Sequence, residues 1–179
     1  MKQVITLFFL FSSILFFGQS GELDTNFGVG GFLITPDLGT GGKIAVMPDD
    51  RIVMIGGHSE FNVIRLMPDG TPDNSFGTAG VSSVNFGDED DDAWDVAVQP
   101  DGKIVILGVI DGDPTTNNQS FGVARLNADG SLDTSFNGTG KLVFDLDNPE
   151  NYPQALALQP DGKILVAGYT KPVGSCDFV

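Results

Sequence analysis

The chain has 179 residues and a formal charge of −15, with 24 acidic side chains against nine Lys and Arg. Such a surface repels nucleic-acid phosphates and anionic membranes, both of which are held by basic side chains. The single cysteine, Cys176, excludes an intramolecular disulfide. The many glycines and prolines suit tight turns, and no long helical pattern occurs after the first twenty residues.

Met1–Ser20 reads as a signal peptide. Lys2 gives a positive start, Val4–Phe17 is an apolar run interrupted only by Thr6, Ser12 and Ser13, and Gly18-Gln19-Ser20 offers a small-x-small cleavage site. The run is shorter than the roughly 20 residues of a membrane span. No cysteine lies near the site, so a lipid anchor is not expected. Cleavage removes Lys2 and predicts an exported protein with no stable membrane anchor.

Residues 21–36 open on Asp24-Thr25-Asn26-Phe27-Gly28, inside a repeat rather than at its start. An N-terminal strand that completes the last blade of a closed array fits this phase. The first hairpin follows: Ile44-Ala45-Val46, then Met47-Pro48-Asp49-Asp50-Arg51, then Ile52 onward. It recurs as Val96–Ile104 around Pro100-Asp101-Gly102 and as Leu156–Ile164 around Pro160-Asp161-Gly162. Alternation at Leu156 and Leu158 marks a strand face. Proline presets the turn, and glycine takes the left-handed position that closes a three-residue hairpin. Asp50 stands at that position in the first copy, and aspartate tolerates it. The copies end on Gly56, Gly108 and Gly168.

A second signature is interleaved with the hairpins. Val63-Ile64-Arg65-Leu66 before Asp69-Gly70 matches Val123-Ala124-Arg125-Leu126 before Asp129-Gly130. Each leads to an Asp-x-x-Phe unit, Asp73–Phe76 and Asp133–Phe136. Pro48, Pro100 and Pro160 are 52 and 60 residues apart, and Asp24, Asp73 and Asp133 are 49 and 60 apart. Multi-strand repeats of this length belong to propellers or other β-arrays. The reading is all-β: an incomplete β-propeller-like array of about three blades built from antiparallel strands. The approximate repeats are 21–67, 68–126 and 127–179.

The motifs LNADGSLDTSFNGTG and ALALQPDGKILVAG resemble the delta-60 repeat, a bacterial family regarded as a β-propeller. The resemblance spans roughly Leu23 to Tyr169. It implies propeller-like blades and a secreted or cell-surface protein, and it carries no catalytic residues over. Matching Phe178-Val179 to Phe61-Asn62 and Phe121-Gly122 places the end of the chain at the start of a third strand. The expectation is therefore an N-terminal fragment, with further repeats of the same full-length chain.

Candidate residues are few. Phe27, Phe76 and Phe136 recur as one large anchor per unit, and burying each is worth roughly 1.5–3 kcal/mol. Arg65 and Arg125 sit in apolar strands and need partners. Asp73 and Asp133 are available for that, or for capping their own turns. Lone His58 reads as a surface residue and Trp94 as a rim or core contact. The acidic run Asp88–Asp92 can offer oxygen ligands to calcium but lacks an alternating acidic loop, so a solvated loop is the simpler reading. Asp111, Asp113 and Asn117 in the insertion Val109–Ser120 likewise read as loop residues. No Ser/His/Asp set, zinc pattern or phosphate loop occurs, and no catalytic, cofactor or metal residue is assigned. The expected function is an extracellular, non-catalytic scaffold or binding module for a protein or glycan. The alternatives are a propeller-type hydrolase or lyase acting on extracellular polymer and a calcium-stabilised surface adhesin. Function is expected where copies differ: Gly87–Asp92, Val109–Ser120 and Asp145–Tyr152.

Overall fold

The computed structural model describes residues 21–35, 38, 41–57, 59–87, 91–111, 119–146, 150–171 and 177–178. Residues 1–20, read from the sequence as a signal peptide, His58, Asp88–Asp90, Asp113, Asn117 and Cys176 lie outside them.

Eleven strands form among the described residues, and no α-helix. β1 (Gly41–Val46), β2 (Ile52–Gly56), β3 (Phe61–Leu66) and β4 (Val81–Val84) make one antiparallel sheet in sequence order. β5 (Asp92–Val98), β6 (Ile104–Asp111), β7 (Gln119–Leu126) and β8 (Lys141–Phe144) make the second. β9 (Glu150–Leu158), β10 (Ile164–Lys171) and β11 (Asp177–Phe178) make a third of three strands. These are the blades expected from the repeats. Sequence repeats and blades are out of phase, however: β4 and β8 follow the Asp-x-x-Phe units and close the blade before.

The hairpins form as the turn chemistry requires. Gln99 N donates to Lys103 O, and Gln159 N to Lys163 O, both at 2.8 Å. Gly162 has φ +84° and Asp50 φ +64°, so the aspartate of the first copy takes the left-handed position. The insertion Val109–Ser120 is less of a loop than expected. Val109, Ile110 and Asp111 continue β6 and pair with Phe121, Ser120 and Gln119 of β7. Ile110 is buried in the first inter-blade core, which gives the strand an apolar reason to continue.

The sheets stack face to face. β6 shows why: its run Ile104-Val105-Ile106-Leu107 is buried on both sides. Ile104 and Ile106 meet Val53, Ile55 and Val63 of the first blade. Val105 and Leu107 meet Leu156, Leu158, Ile164 and Val166 of the third. A strand covered on both faces loses the polar alternation of a half-exposed one. Residues 21–35 and Leu38 lie on the other face of the first blade, where Phe27, Leu33 and Leu38 pack against Ile64, Leu66 and Met54.

Gly108 and Gly168, which end the second and third hairpins, are required by close approach. Phe61 of the first blade lies on Gly108 of the second, and Phe121 lies on Gly168 of the third. A Cβ on Gly108 would collide with the Asp92 carbonyl oxygen and the Phe61 ring. Gly108→Ala is therefore expected to destabilise by about 1–3 kcal/mol, as overpacked cores do. Gly162→Ala meets no atom within 4 Å and should cost only its left-handed strain, about 1 kcal/mol. Urea unfolding of the two variants checks the order, and equal losses would show that the Phe61–Gly108 contact is slack.

Candidate functional site

The charged residues of the repeats converge at one end of each blade. Arg65 leaves β3 into the interior with 1% of its surface exposed. Its Nε donates to Asp73 Oδ2 at 2.8 Å, and its Nη2 to Ser75 Oγ at 3.0 Å. The Ser75 hydroxyl and amide both donate to Asp73 Oδ1, at 2.6 and 2.9 Å. Asp73 thus pairs with the arginine and caps its own turn, combining the two roles left open by the sequence. Arg51, from the hairpin turn, adds a second cation at 2.9 Å from Asp73 Oδ2.

The second blade repeats this arrangement. Arg125 Nε is 2.7 Å and Lys103 Nζ 3.1 Å from Asp133 Oδ2, and Ser135 donates its hydroxyl to Asp133 Oδ1 at 2.6 Å. The second cation, Arg51 or Lys103, was not anticipated. Its signal is visible in the sequence as the basic residue that ends each hairpin turn, with Lys163 as the third case.

The phenylalanines complete the joint. The Arg65 guanidinium stacks 4.6 Å from the Phe76 ring centroid, and Arg125 4.9 Å from Phe136. Phe76 is fully buried because the next repeat's turn closes over it: a Cβ on Gly130 would lie 3.1 Å from its ring. Gly77 N donates to Asp129 O at 2.8 Å, and Arg65 Nη1 donates to Ala128 O. The same turn-on-ring contact joins Gly70 to Phe27, with Gly28 N to Asp69 O at 2.8 Å. Phe27 and Phe136 are only half-buried, so the core role expected of all three is complete only at Phe76.

Both carboxylates are held ionised. Burial raises the Asp73 pKa, but the Ser75 hydroxyl, Arg51, the Ser75 amide and Arg65 outweigh it and hold the group well below the usual carboxylate range. The Ser135 hydroxyl does most for Asp133; burial opposes it, and Lys103, the Ser135 amide and Arg125 add to the lowering. These aspartates act as structural acceptors rather than proton donors at neutral pH.

The opposite end of the blades carries the connections that differ between copies. In an antiparallel meander the first and third turns share one end, and the second turn and the link to the next blade share the other. The described residues there include Asp91, fully buried, whose Oδ2 accepts the Phe86 amide at 3.0 Å. Asn151, the corresponding residue of the third blade, donates to Gln119 O at 2.6 Å and Asp145 Oδ1 at 3.1 Å. Tyr152 and Tyr169 stack at 4.9 Å with an 18° interplanar angle, and Lys171 Nζ lies 4.8 Å above Tyr152. Trp94 sits at the bulge between Ala93 and Asp95 and is 39% exposed, a rim position. Asp111 ends β6. Among the described residues no group of three or more His, Cys, Asp or Glu is placed to hold a metal ion, and no helix is long and apolar enough to cross a membrane. A cleft of about 330 Å³ lies at the repeated end between the turns Pro48–Arg51 and Pro100–Gly102, and its Asp49 is engaged by Arg51.

Three segments, 48–76, 99–136 and 159–175, match a family described as a domain of unknown function (DUF5122) beta-propeller. Each begins at a hairpin turn, and the first two end on the phenylalanine of an Asp-x-x-Phe unit. The match and the stacked antiparallel sheets show a propeller-type repeat protein. No curated protein and no solved structure matches the chain.

Asp73→Asn is expected to cost about 3 kcal/mol at pH 7, because it leaves the buried Arg65 without its counter-charge. The Asp73 pKa is depressed in the folded state, so its contribution is complete above the unfolded value of about 3.9 and is lost as pH falls toward the folded one. The gap between wild type and variant should therefore narrow between pH 5 and pH 2. Urea titrations across that range check this, and a constant gap would mean that the carboxylate is not held by charge.

Proposed function

We propose that the protein is an extracellular, non-catalytic β-propeller scaffold that binds a protein or glycan through its variable end. The observation that carries this reading is the segregation of the two ends. At one end Arg65, Arg125, Asp73 and Asp133 are consumed in joints between strands, turns and blades. At the other, the copies present different side chains at matched positions. Tyr152, Tyr169 and Lys171 of the third blade take the places of Asp92, Val109 and Asp111 of the second. Stacked aromatic rings beside a cation supply contact area and a polar handle to a ligand. The leader at Met1–Ser20 supports export to the cell surface or medium, and removing Lys2 makes the mature surface more acidic still.

The test uses soluble xylan, alginate and pectin as probes. The scaffold reading predicts no reducing ends or unsaturated products after prolonged incubation. It predicts retardation in affinity gels containing at least one of these polymers, or capture of a surface protein. Tyr169→Ala with Lys171→Ala should weaken that binding at least tenfold with an unchanged melting temperature. Steady product release from any of the polymers would establish the hydrolase or lyase alternative instead.

A further inference from the structure

β1, β5 and β9 are the first strands of their sheets, each at an edge, and they lie beside one another. Each carries a bulge at the same place. Gly42-Lys43 stand opposite Ile55, Trp94-Asp95 opposite Leu107, and Gln154-Ala155 opposite Ala167. A bulge gives up ladder hydrogen bonds and re-aims the side chain it carries. All three bulges fall toward the variable end, and the residue that opens them differs in every copy: glycine, tryptophan, glutamine.

Asp95 holds the bulge of β5 in place. Its Oδ1 accepts the Val96 amide at 3.0 Å, and its Oδ2 accepts the Leu156 amide of the next blade at 2.6 Å. The second bond sets the bulges of β5 and β9 side by side, with Trp94 and Gln154 at matched positions. Trp94 is 39% exposed although β1 flanks its strand on one side and β9 on the other. At the matched position of the first blade stands Gly42, where a Cβ would collide with the Ile55 carbonyl oxygen. That position therefore carries no side chain to cover the indole.

An exposed indole on a fixed backbone offers an apolar face and one N–H donor. The groups around it are of mixed polarity. Gln154, whose Nε2 donates to Pro153 O at 3.1 Å, brings an oxygen acceptor. Lys43 on β1 brings an ammonium, and the strand edges bring backbone N–H and C=O groups. This combination fits a sugar ring, whose C–H face covers an aromatic ring while its hydroxyls both donate and accept. A cationic ligand would meet Lys43, and an anionic polymer would meet the repulsion of a chain with a formal charge of −15.

We propose that Trp94 is the stacking platform of a binding site for a neutral glycan, with Gln154 as its hydrogen-bonding partner on the next blade. This rests on the reading of the variable end as a ligand-binding face and names the ligand class.

Trp94 is the only tryptophan, so quenching of the protein's tryptophan emission by acrylamide reports this site alone. The probes are soluble xylo-, manno- and malto-oligosaccharides as neutral ligands, oligogalacturonate as an anionic one, and oligolysine as a cationic peptide. At least one neutral probe should reduce the quenching by half or more, and the two charged probes should leave it unchanged. Trp94→Ala should weaken the calorimetric affinity for that probe by at least about tenfold, as loss of an aromatic anchor does, with an unchanged melting temperature. Trp94→Phe should recover part of the affinity, and Gln154→Ala should reduce it while the emission still responds. Quenching that no neutral probe alters would overturn the proposal, and so would protection by oligogalacturonate or oligolysine alone. Retardation by xylan in affinity gels with unaltered Trp94 quenching would overturn this site and leave the scaffold reading standing. Product release from a neutral polymer that also shields Trp94 would overturn the non-catalytic reading and leave the site standing.

Discussion

A buried arginine in a β-strand is costly unless its charge is met and its donors are used. Arg65 satisfies that demand by linking three pieces of chain: the strand that carries it, the Asp73–Ser75 turn eight to ten residues on, and the Ala128 carbonyl of the next blade. The stacking of blades follows from this linkage. The turn that Asp73 caps places Phe76, and Phe76 receives the next repeat's glycine. Apolar burial between sheets supplies the bulk of the favourable free energy, while the ionic node fixes register between blades that are otherwise two similar apolar faces.

This division gives the polar residues that recur at fixed places a structural role in the joints. A repeat array gains stability mainly from nearest-neighbour interfaces, so each unit must carry both halves of a joint. The Asp-x-x-Phe half faces forward, and the Arg-bearing strand with its Asp-Gly turn faces both ways. Variation is then concentrated at the other end, where Asp91 and Asn151 anchor the connections internally and Tyr152 and Lys171 lie together away from the joint.

Much of this was legible in the sequence because turns and strands are local. The Pro-Asp-Gly hairpins, the alternation of Leu156 and Leu158, and the pairing demand on Arg65 follow from neighbouring residues. The Phe61–Gly108 and Phe121–Gly168 contacts were not legible, since they cross between blades and a strand glycine gives no sign of what approaches it. The second cation, Arg51 or Lys103, was hidden for the same reason: in the sequence it belongs to one turn, and in space to another. The extension of β6 through Asp111 was masked by its polar neighbours, although Ile110 supplied the apolar hint. At the variable end, the Tyr152–Tyr169 stack depends on the register of β9 against β10, which the bulge between Ala167 and Gly168 shifts.

The central claim is that Arg65 and Asp73 act as one unit across the blade joint. A double-mutant cycle with Arg65→Met, Asp73→Asn and the double variant, read by urea unfolding at pH 7, tests it most directly. The account predicts that the double variant is more stable than the sum of the two single losses implies, with a coupling of about 2 kcal/mol, within the range for residues in direct contact. Losses that add to within about 0.5 kcal/mol, as independent sites do, would contradict it.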